Sequence, residues 1–416
     1  MNPRYLEILR DTLLLLPRLL GATARVLFAG IGRGPSTRLK AWASAEGSAR
    51  MLGIDSGIVR DARVEEVHSG TATRSRLRIE YAAEASSEIG PSSLFIKSRP
   101  QGFASALFGV LFDLGGNEVL FYRNIRNSIP VKSPKAYFAE GKSSDYVLLL
   151  EDLETKNCNF QTLASKCSYA EAKSIVTTLG RMHGKFWQSE RFQTDLAWVR
   201  RFETDQDFRL LNWVRNISVP VAIQKYADVI PAKLRGVVPH LMKNYKRLEE
   251  QWAQGPRTLL HGDAHLGNMY FQDGEAGLLD WQVCQYGQGM RDISYLLVNS
   301  LSEELRLARQ EDLIREYLVV LEAQGVSLNF DTAWRQYRLQ SVYAWIAGVV
   351  TAPSNFQSEQ VVAAGLGRAC AAVLDLDAVA LIRQLYRLWH PDCGRPRAAS
   401  FLRLLLRPKF SPTDAR

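Results

Sequence analysis

The sequence predicts an α+β chain of two lobes, a small β-rich one followed by a larger helical one. Three observations carry this. Arg74-Ser75-Arg76-Leu77-Arg78-Ile79-Glu80-Tyr81 alternates polar and apolar side chains, the period of a half-buried strand. From residue 168 onward the spacing turns helical: Ser168-Tyr169-Ala170-Glu171 has the form of a capping box, and Ile175, Leu179, Met182 and Phe186 follow on one face. Between His261 and Asp280 the helical pattern breaks into loop and strand. With 416 residues, 46% of them hydrophobic, the chain has ample apolar material for a large core.

Taken in order, residues 1–40 form a basic amphipathic segment, and the breaker cluster Gly32-Arg33-Gly34-Pro35-Ser36 closes it. Residues 41–152 are expected to form the first lobe. Val64 to His68 and Arg74 to Tyr81 read as a hairpin joined by Ser69-Gly70-Thr71-Ala72-Thr73. Ala82 to Ser93 is small and polar and reads as a turn. Leu94-Phe95-Ile96-Lys97 is a short apolar strand ending on a lysine, Asn117 to Ile125 a helix, and Tyr146 to Leu150 a buried strand. Residues 153–394 are expected to form the second lobe, mostly helical over 300–390, and residues 395–416 a second basic amphipathic tail.

The net charge of +9 suggests nucleic acid at first sight. The excess sits at the ends, however. Arg4, Arg10, Arg18, Arg25, Arg33, Arg38 and Lys40 face only Glu7 and Asp11, and Arg395, Arg397, Arg403, Arg407, Lys409 and Arg416 face only Asp414. The body between is near neutral, which argues against a nucleic-acid partner. Both ends are also apolar, through Leu13-Leu14-Leu15-Leu16 and Leu404-Leu405-Leu406. Charges interrupt the first too often for a membrane span, and no clean apolar block is followed by a cleavage site as in a signal peptide. Two readings stay open for residues 1–34 and 395–410: interfacial anchors on an anionic membrane, or helices packed on the body with their arginines in water. Five cysteines, odd in number and without a CxxC pair, suggest neither a zinc site nor a disulfide framework, and the default location is the reducing cytoplasm.

The chemistry centres on His261-Gly262-Asp263-Ala264-His265-Leu266-Gly267-Asn268. Met269-Tyr270-Phe271 then reads as a strand, Gln272-Asp273-Gly274-Glu275 as a turn, and Gly277-Leu278-Leu279 as the returning strand, which brings Asp280 back beside the loop. Asp263, Asn268 and Asp280 therefore converge. Phosphoryl transfer needs a carboxylate near the attacking hydroxyl, oxygen ligands for magnesium and a cation on the phosphates. Asp263 suits the first role, and Asn268 and Asp280 the second. His261, Asp263 and His265 also form a His-x-Asp-x-His cluster that a metallohydrolase could use, but with six histidines in the chain, partner ligands are scarce.

His-x-Asp-x-x-x-x-Asn is the catalytic-loop spacing of protein kinases. With Leu278-Leu279-Asp280-Trp281-Gln282 after a short hairpin, the run resembles the aminoglycoside phosphotransferase and choline kinase superfamily. Leu179 to Trp187 and Met290-Arg291-Asp292-Ile293-Ser294-Tyr295 resemble its ecdysteroid-kinase-like branch. The resemblance covers roughly residues 60–350. It implies a bilobal protein-kinase-like fold, ATP, magnesium and a small hydroxylated acceptor. By it, Lys97 matches the phosphate-binding lysine, Glu118 its helix partner, and Gly70 the loop over the phosphates. Glu151 to Leu153 matches the hinge that holds adenine, and Asp292 a brace on the catalytic loop. The phosphate loop holds one glycine rather than three, and neither Asp-Phe-Gly nor Ala-Pro-Glu occurs, so a protein kinase proper is not expected.

Plainer readings stand beside these. Lys97 alone is a strand-end lysine, Glu118 alone a solvated helix residue, and Arg291-Asp292 a surface ion pair. Two further classes compete with the kinase: a nucleotide-binding pseudokinase and a membrane-attached interaction module. For the acceptor, Trp334, Arg335, Tyr337, Arg338, Tyr343 and Trp345 suit a lipophilic or steroid-like alcohol, and Trp281 and Tyr286 are candidates to line the cleft.

Overall fold

The computed structural model describes residues 3–29, 42–82, 90–201, 205–354 and 358–389. The 32–36 breaker cluster and the 395–416 tail lie outside them. Helix α1 (Pro3–Phe28) and the short α2 (Ala45–Leu52) precede a five-stranded antiparallel sheet. Its strands are β1 (Val59–Ser69), β2 (Thr73–Tyr81), β3 (Ser93–Ser98), β4 (Ala136–Lys142) and β5 (Asp145–Glu151), in the order β1-β2-β3-β5-β4. Two helices, α3 (Phe103–Leu111) and α4 (Leu114–Asn124), connect β3 to β4.

The helical lobe comprises α5 (Tyr169–Lys185), α6 (Asp205–Lys225), α7 (Ala232–Arg235), α8 (Val238–Lys243), α9 (Tyr245–Trp252), α10 (Met290–Ser300), α11 (Glu303–Glu322), α12 (Phe330–Thr351), α13 (Glu359–Asp375) and α14 (Ala378–Trp389). Small sheets interrupt it: β6 (Asn159–Phe160) joins the hairpin β8 (Met269–Gln272) and β9 (Glu275–Leu278), and β7 (Thr258–Leu260) pairs with β10 (Gln285–Gly287). This is the two-lobed α+β architecture expected from the sequence.

Local chemistry accounts for these elements. The Ser168 hydroxyl accepts from the Glu171 amide, the Glu171 carboxylate accepts from the Ser168 amide, and α5 begins there. Ile175, Leu179, Met182 and Phe186 are all buried, so one apolar stripe docks this helix. The β8–β9 turn puts Asp273 and Gly274 at φ 55° and 79°, the left-handed geometry that matches strand twist in a two-residue hairpin.

The main core does not respect the lobe boundary. Phe121 and Tyr122 of α4 belong to the same buried cluster as α5 and α10 to α13. Phe121 stacks on Trp281, with ring centroids 3.9 Å apart and planes 10° from parallel. The Trp281 Nε1–H donates to Ser133 Oγ at 3.0 Å, and the Asn117 amide donates to the carbonyls of Gln282 and Cys284 at 2.8 and 3.2 Å. Trp281 is therefore packing, not cleft lining. A separate core of Leu77, Ile79, Leu94, Ile96, Val147 and Leu149 covers the other face of the sheet against Trp42 and Ala49.

Helix α1 is joined to the body rather than separate from it. Leu15, Ala22 and Val26 pack with Ala106, Val110 and Leu111 of α3 and Leu210 of α6. Arg18 donates to the Leu111 carbonyl at 3.0 Å, and Trp213 Nε1–H to Thr12 Oγ1 at 2.8 Å. Among the described residues no single helix is long and apolar enough to cross a membrane.

Truncating the fully buried Trp281 removes both the stack and its indole hydrogen bond. Trp281→Ala is expected to lower unfolding free energy by about 3–5 kcal/mol, read from the denaturant midpoint. An unchanged midpoint would refute the ring stack as the joint between lobes.

Candidate active site

Strand register begins the site. In the β2–β3 ladder Arg74 stands opposite Lys97, and directly opposed residues of antiparallel strands share a face. Helix α4 presents Glu118 to the same spot. The Lys97 ammonium lies 2.8 and 3.0 Å from the two Glu118 oxygens and 2.9 Å from Asp280 Oδ1. Arg74 reaches Asp280 Oδ2 at 3.3 Å. Lys97 and Glu118 are almost wholly buried, so Glu118 is not a solvated helix residue and Lys97 is not a loose strand end.

The two carboxylates respond differently. Burial would raise Asp280, but Lys97, then Arg74, outweigh it and hold the group below the usual carboxylate range. For Glu118 burial wins: its pKa is raised, with Asp280 adding to the effect and Lys97 opposing it.

The loop carrying Asp263 is held by its backbone. Gly262 has φ 86°, and a Cβ there would overlap the Val283 carbonyl oxygen, so only glycine fits. Asp292, in the first turn of α10, accepts from the His261 and Gly262 amides at 2.6 and 3.0 Å. His183 Nε2 lies 3.2 Å from Asp292, and His183 Nδ1 lies 3.0 Å from the Tyr317 hydroxyl. Asp292 is fully buried, and the side-chain partners of Arg291 are Gln340 and Gln285 rather than Asp292, so these neighbours are not a surface ion pair. His261 is a brace: its Nε2 bonds the Leu279 carbonyl at 2.7 Å and its Nδ1 accepts from the Asp263 amide at 3.3 Å. Its ring is thereby committed, and among the described residues no three His, Cys, Asp or Glu side chains gather as a metal-ligand group, which removes the metallohydrolase geometry.

Asn268 closes the loop. Its side-chain amide nitrogen donates to the Asp263 carbonyl and to Asp263 Oδ2, both at 3.0 Å, and its backbone carbonyl accepts from the Leu279 amide at 2.9 Å. The β8–β9 hairpin thus returns Asp280 to the loop. Asp280 sits at φ 62°, an uncommon conformation for a non-glycine residue. The Asn268 side-chain oxygen and the Asp280 carboxylate make an all-oxygen donor pair whose chemistry suits magnesium, which completes its shell with water and phosphate.

Asp263 is shaped by His265, whose Nε2 lies 3.4 Å from Asp263 Oδ2, and by the Tyr295 hydroxyl. Burial acts to raise Asp263, but the charge and hydrogen bond of His265, with His261 and Tyr295, hold it well below the usual range. Burial likewise acts to lower His265, and Asp263 outweighs it, so His265 is raised.

Asp263, His265 and Asp280 open onto a cavity of about 850 Å³, lined largely by apolar side chains, among them Phe108, Phe112, Leu211, Val214, Trp252, Tyr343 and Ile346. Thr71, beside Gly70 in the β1–β2 turn, reaches its rim. Tyr286, one of two sequence candidates for the cleft, lines it. Of the aromatic set proposed for the acceptor, only Tyr343 does so: Tyr337 and Trp345 are wholly buried in the core, and Arg338 donates to the Leu376 carbonyl at 2.6 Å. Those residues lie on a helix with apolar neighbours on nearly all sides, so side-chain type could not say which face the cavity takes. Glu151 ends β5, where its carboxylate accepts from the Lys135 amide at 3.2 Å, and Leu153 is buried behind it. The link they belong to is tied to the sheet by Arg76, 2.8 Å from Asp152 and 2.6 Å from Glu154, with the Ser93 hydroxyl also on Asp152.

Sequence reasoning missed Arg74, Arg76 and the cavity walls on α3 and α6. Arg74 and Arg76 were legible in principle, because the alternation over 74–81 puts them on the face opposite Leu77 and Ile79 once Lys97 is assigned to the next strand. The α3 and α6 walls had no such signal.

The paired shifts have a sign. The raised His265 contributes stability below its unfolded value near 6.5, and that contribution is lost as pH climbs through the folded value; the lowered Asp263 contributes above about 3.9 and loses it on acidification. Relative to His265→Gln, the protein is expected to be most favoured between about pH 4 and 6.5 and to lose that advantage above pH 7 in urea titrations. An advantage that grows with pH would contradict the pairing.

Comparison with known proteins adds the family. The ecdysteroid kinase-like family matches residues 75–330. No curated protein sequence matches the chain. Among solved structures, choline kinase of Cryptosporidium parvum Iowa II is 10% identical with a TM-score of 0.47, covering 85% of this chain and 99% of that one. Ethanolamine kinase of Plasmodium vivax is 11% identical with a TM-score of 0.45, covering 75% and 81%. The GDP complex of aminoglycoside 2′-phosphotransferase-IIIa is 12% identical with a TM-score of 0.47, covering 75% and 94%. The matched region, more than half of the chain, takes in the lysine strand, the Asp263 loop and the Asp292 brace, and the chain belongs to the ecdysteroid kinase-like family.

Proposed function

We propose that the chain is an ATP- and magnesium-dependent kinase that phosphorylates a hydroxyl of a small lipophilic molecule. The observation that carries this reading is the largely apolar cavity of about 850 Å³ with Asp263 in its wall and Asp280, bonded to Lys97, beside it. An acceptor in the cavity would present its hydroxyl to Asp263. Held well below the usual range, Asp263 is ionised at neutral pH and accepts that hydrogen bond. It aims the nucleophile and takes the proton late, as suits a loose phosphoryl-transfer transition state. Lys97, positioned by Glu118, would bind phosphate oxygens, and the β1–β2 turn at Gly70 and Thr71 would close over them. Asn268 and Asp280 would hold magnesium, which when bound offsets the charge of the transferring group. The backbone from Glu151 to Leu153 would bind the base.

The lining supports an apolar acceptor. Arg215 pairs with Glu249 at 3.4 Å and stacks 3.5 Å over the Tyr245 ring, and Arg291 lies 4.4 Å over the Tyr343 ring while bonded to Gln285 and Gln340. With these charges already engaged by protein groups, the wall favours an apolar molecule over a polycation.

Purified protein with magnesium and ATP is expected to phosphorylate members of a panel of ring-containing alcohols. Asp263→Asn should lower turnover about 10²–10⁴-fold with nucleotide affinity kept. Full turnover by that variant would remove Asp263 from its role, and nucleotide binding with no turnover on any alcohol would favour a pseudokinase.

A further inference from the structure

We propose that the outward face of α1 is a docking surface for an anionic lipid bilayer. The helix is apolar on two opposite sides. Its inner side, Leu15, Ala22 and Val26, is spent on α3 and α6. Its outer side carries Leu6, Leu9, Leu13, Leu16, Leu20 and Leu27, each between 44% and 61% exposed. Their spacing of three, four or seven residues makes one stripe along a helix of 26 residues, roughly 39 Å long. Monomeric proteins rarely leave so long an apolar face in water.

Charge decides what covers it. Residues 1–40 hold seven arginines and lysines against two acids, and the chain as a whole carries +9. Arg10, about a quarter turn from the leucine stripe and 3.1 Å from Asp11, and Arg25, nearer the opposite side of the helix, are both exposed. A second copy of this chain would bring like charges together, whereas phosphatidylserine-type headgroups attract them. The leucines then enter the interfacial zone while the inner face keeps the helix fixed to the body, as in an amphipathic helix lying in the membrane plane. The surface also gives the proposed acceptor a source, and this link alone rests on the kinase reading. Helix α3 contacts α1 through Ala106, Val110 and Leu111 and lines the cavity through Phe108, so only α1 and α3 lie between a bilayer-dissolved alcohol and the site.

The test is flotation of the full-length protein with phosphatidylcholine vesicles, with and without phosphatidylserine, in parallel with sedimentation equilibrium. Wild type is expected to float with the phosphatidylserine vesicles, less so as salt rises, and Leu13→Glu/Leu20→Glu to bind at least tenfold more weakly. Both leucines are more than half exposed, so the melting temperature should be unchanged; Arg25→Glu, also exposed, should weaken anionic binding without touching the stripe. Equal flotation of wild type and the double variant would overturn the proposal. So would no flotation of wild type, or a wild-type dimer that the double variant makes monomeric while neither floats. These readouts do not involve turnover, so they stand or fall separately from the kinase assignment.

Discussion

Lys97 is a buried cation held between two carboxylates from different parts of the chain. Its own strand is in the sheet, Glu118 comes from α4, and Asp280 from the loop after the β8–β9 hairpin. Removing such an ammonium from water is costly, and the position is stable only while both carboxylates stay within hydrogen-bond reach. The relative placement of sheet, helix and the loop after β9 is therefore tied to one nitrogen atom. Much of the surrounding structure keeps those three elements in place. The Phe121–Trp281 stack and the Asn117 bonds fix α4 to the segment just after Asp280, and the Leu279–Asn268 bond fixes the hairpin to the Asp263 loop.

The second cluster follows the same logic through its backbone. Asp292 takes two loop amides, His183 and Tyr317 hold Asp292, and Gly262 adopts the turn that permits both. The Asp263 side chain is left to His265, Tyr295, Asn268 and the cavity. Lys97 and Arg74 balance Glu118 and Asp280, and Asp263 adds negative charge within the same site. A bare polyphosphate would be repelled by these carboxylates, which is why the proposed substrate is the magnesium complex.

Much of this was legible in residue order because it is local. The eight-residue run from His261 to Asn268, a two-residue turn and a short return strand are enough to bring Asp263, Asn268 and Asp280 together. The capping box at Ser168 and the apolar face of α5 are likewise self-contained. What could not be read depends on contacts across more than a hundred residues. Arg74 meets Asp280 only after strand pairing and lobe packing. The cavity is walled by α3, α6, α9, α12 and α13, whose apolar residues look the same in sequence whether they face a neighbour or a void. Trp281 and Tyr286, five positions apart, had equal claims on the cleft, and packing sent one to the core and the other to the cavity wall. The charge asymmetry of the first 40 residues marked that end as unusual, but which of its apolar residues pack inward emerged only from the contacts with α3 and α6.

The account turns on the claim that Lys97, Glu118 and Asp280 form a nucleotide-phosphate site rather than a purely structural ion cluster. The most direct measurement is the ligand-induced melting shift of wild type and Lys97→Met, each followed with magnesium alone and with magnesium plus ATP. The account predicts that magnesium ATP raises the wild-type melting temperature well beyond magnesium alone, and that Lys97→Met, whatever its own starting stability, shows no such increment. Equal increments in the two proteins would contradict it.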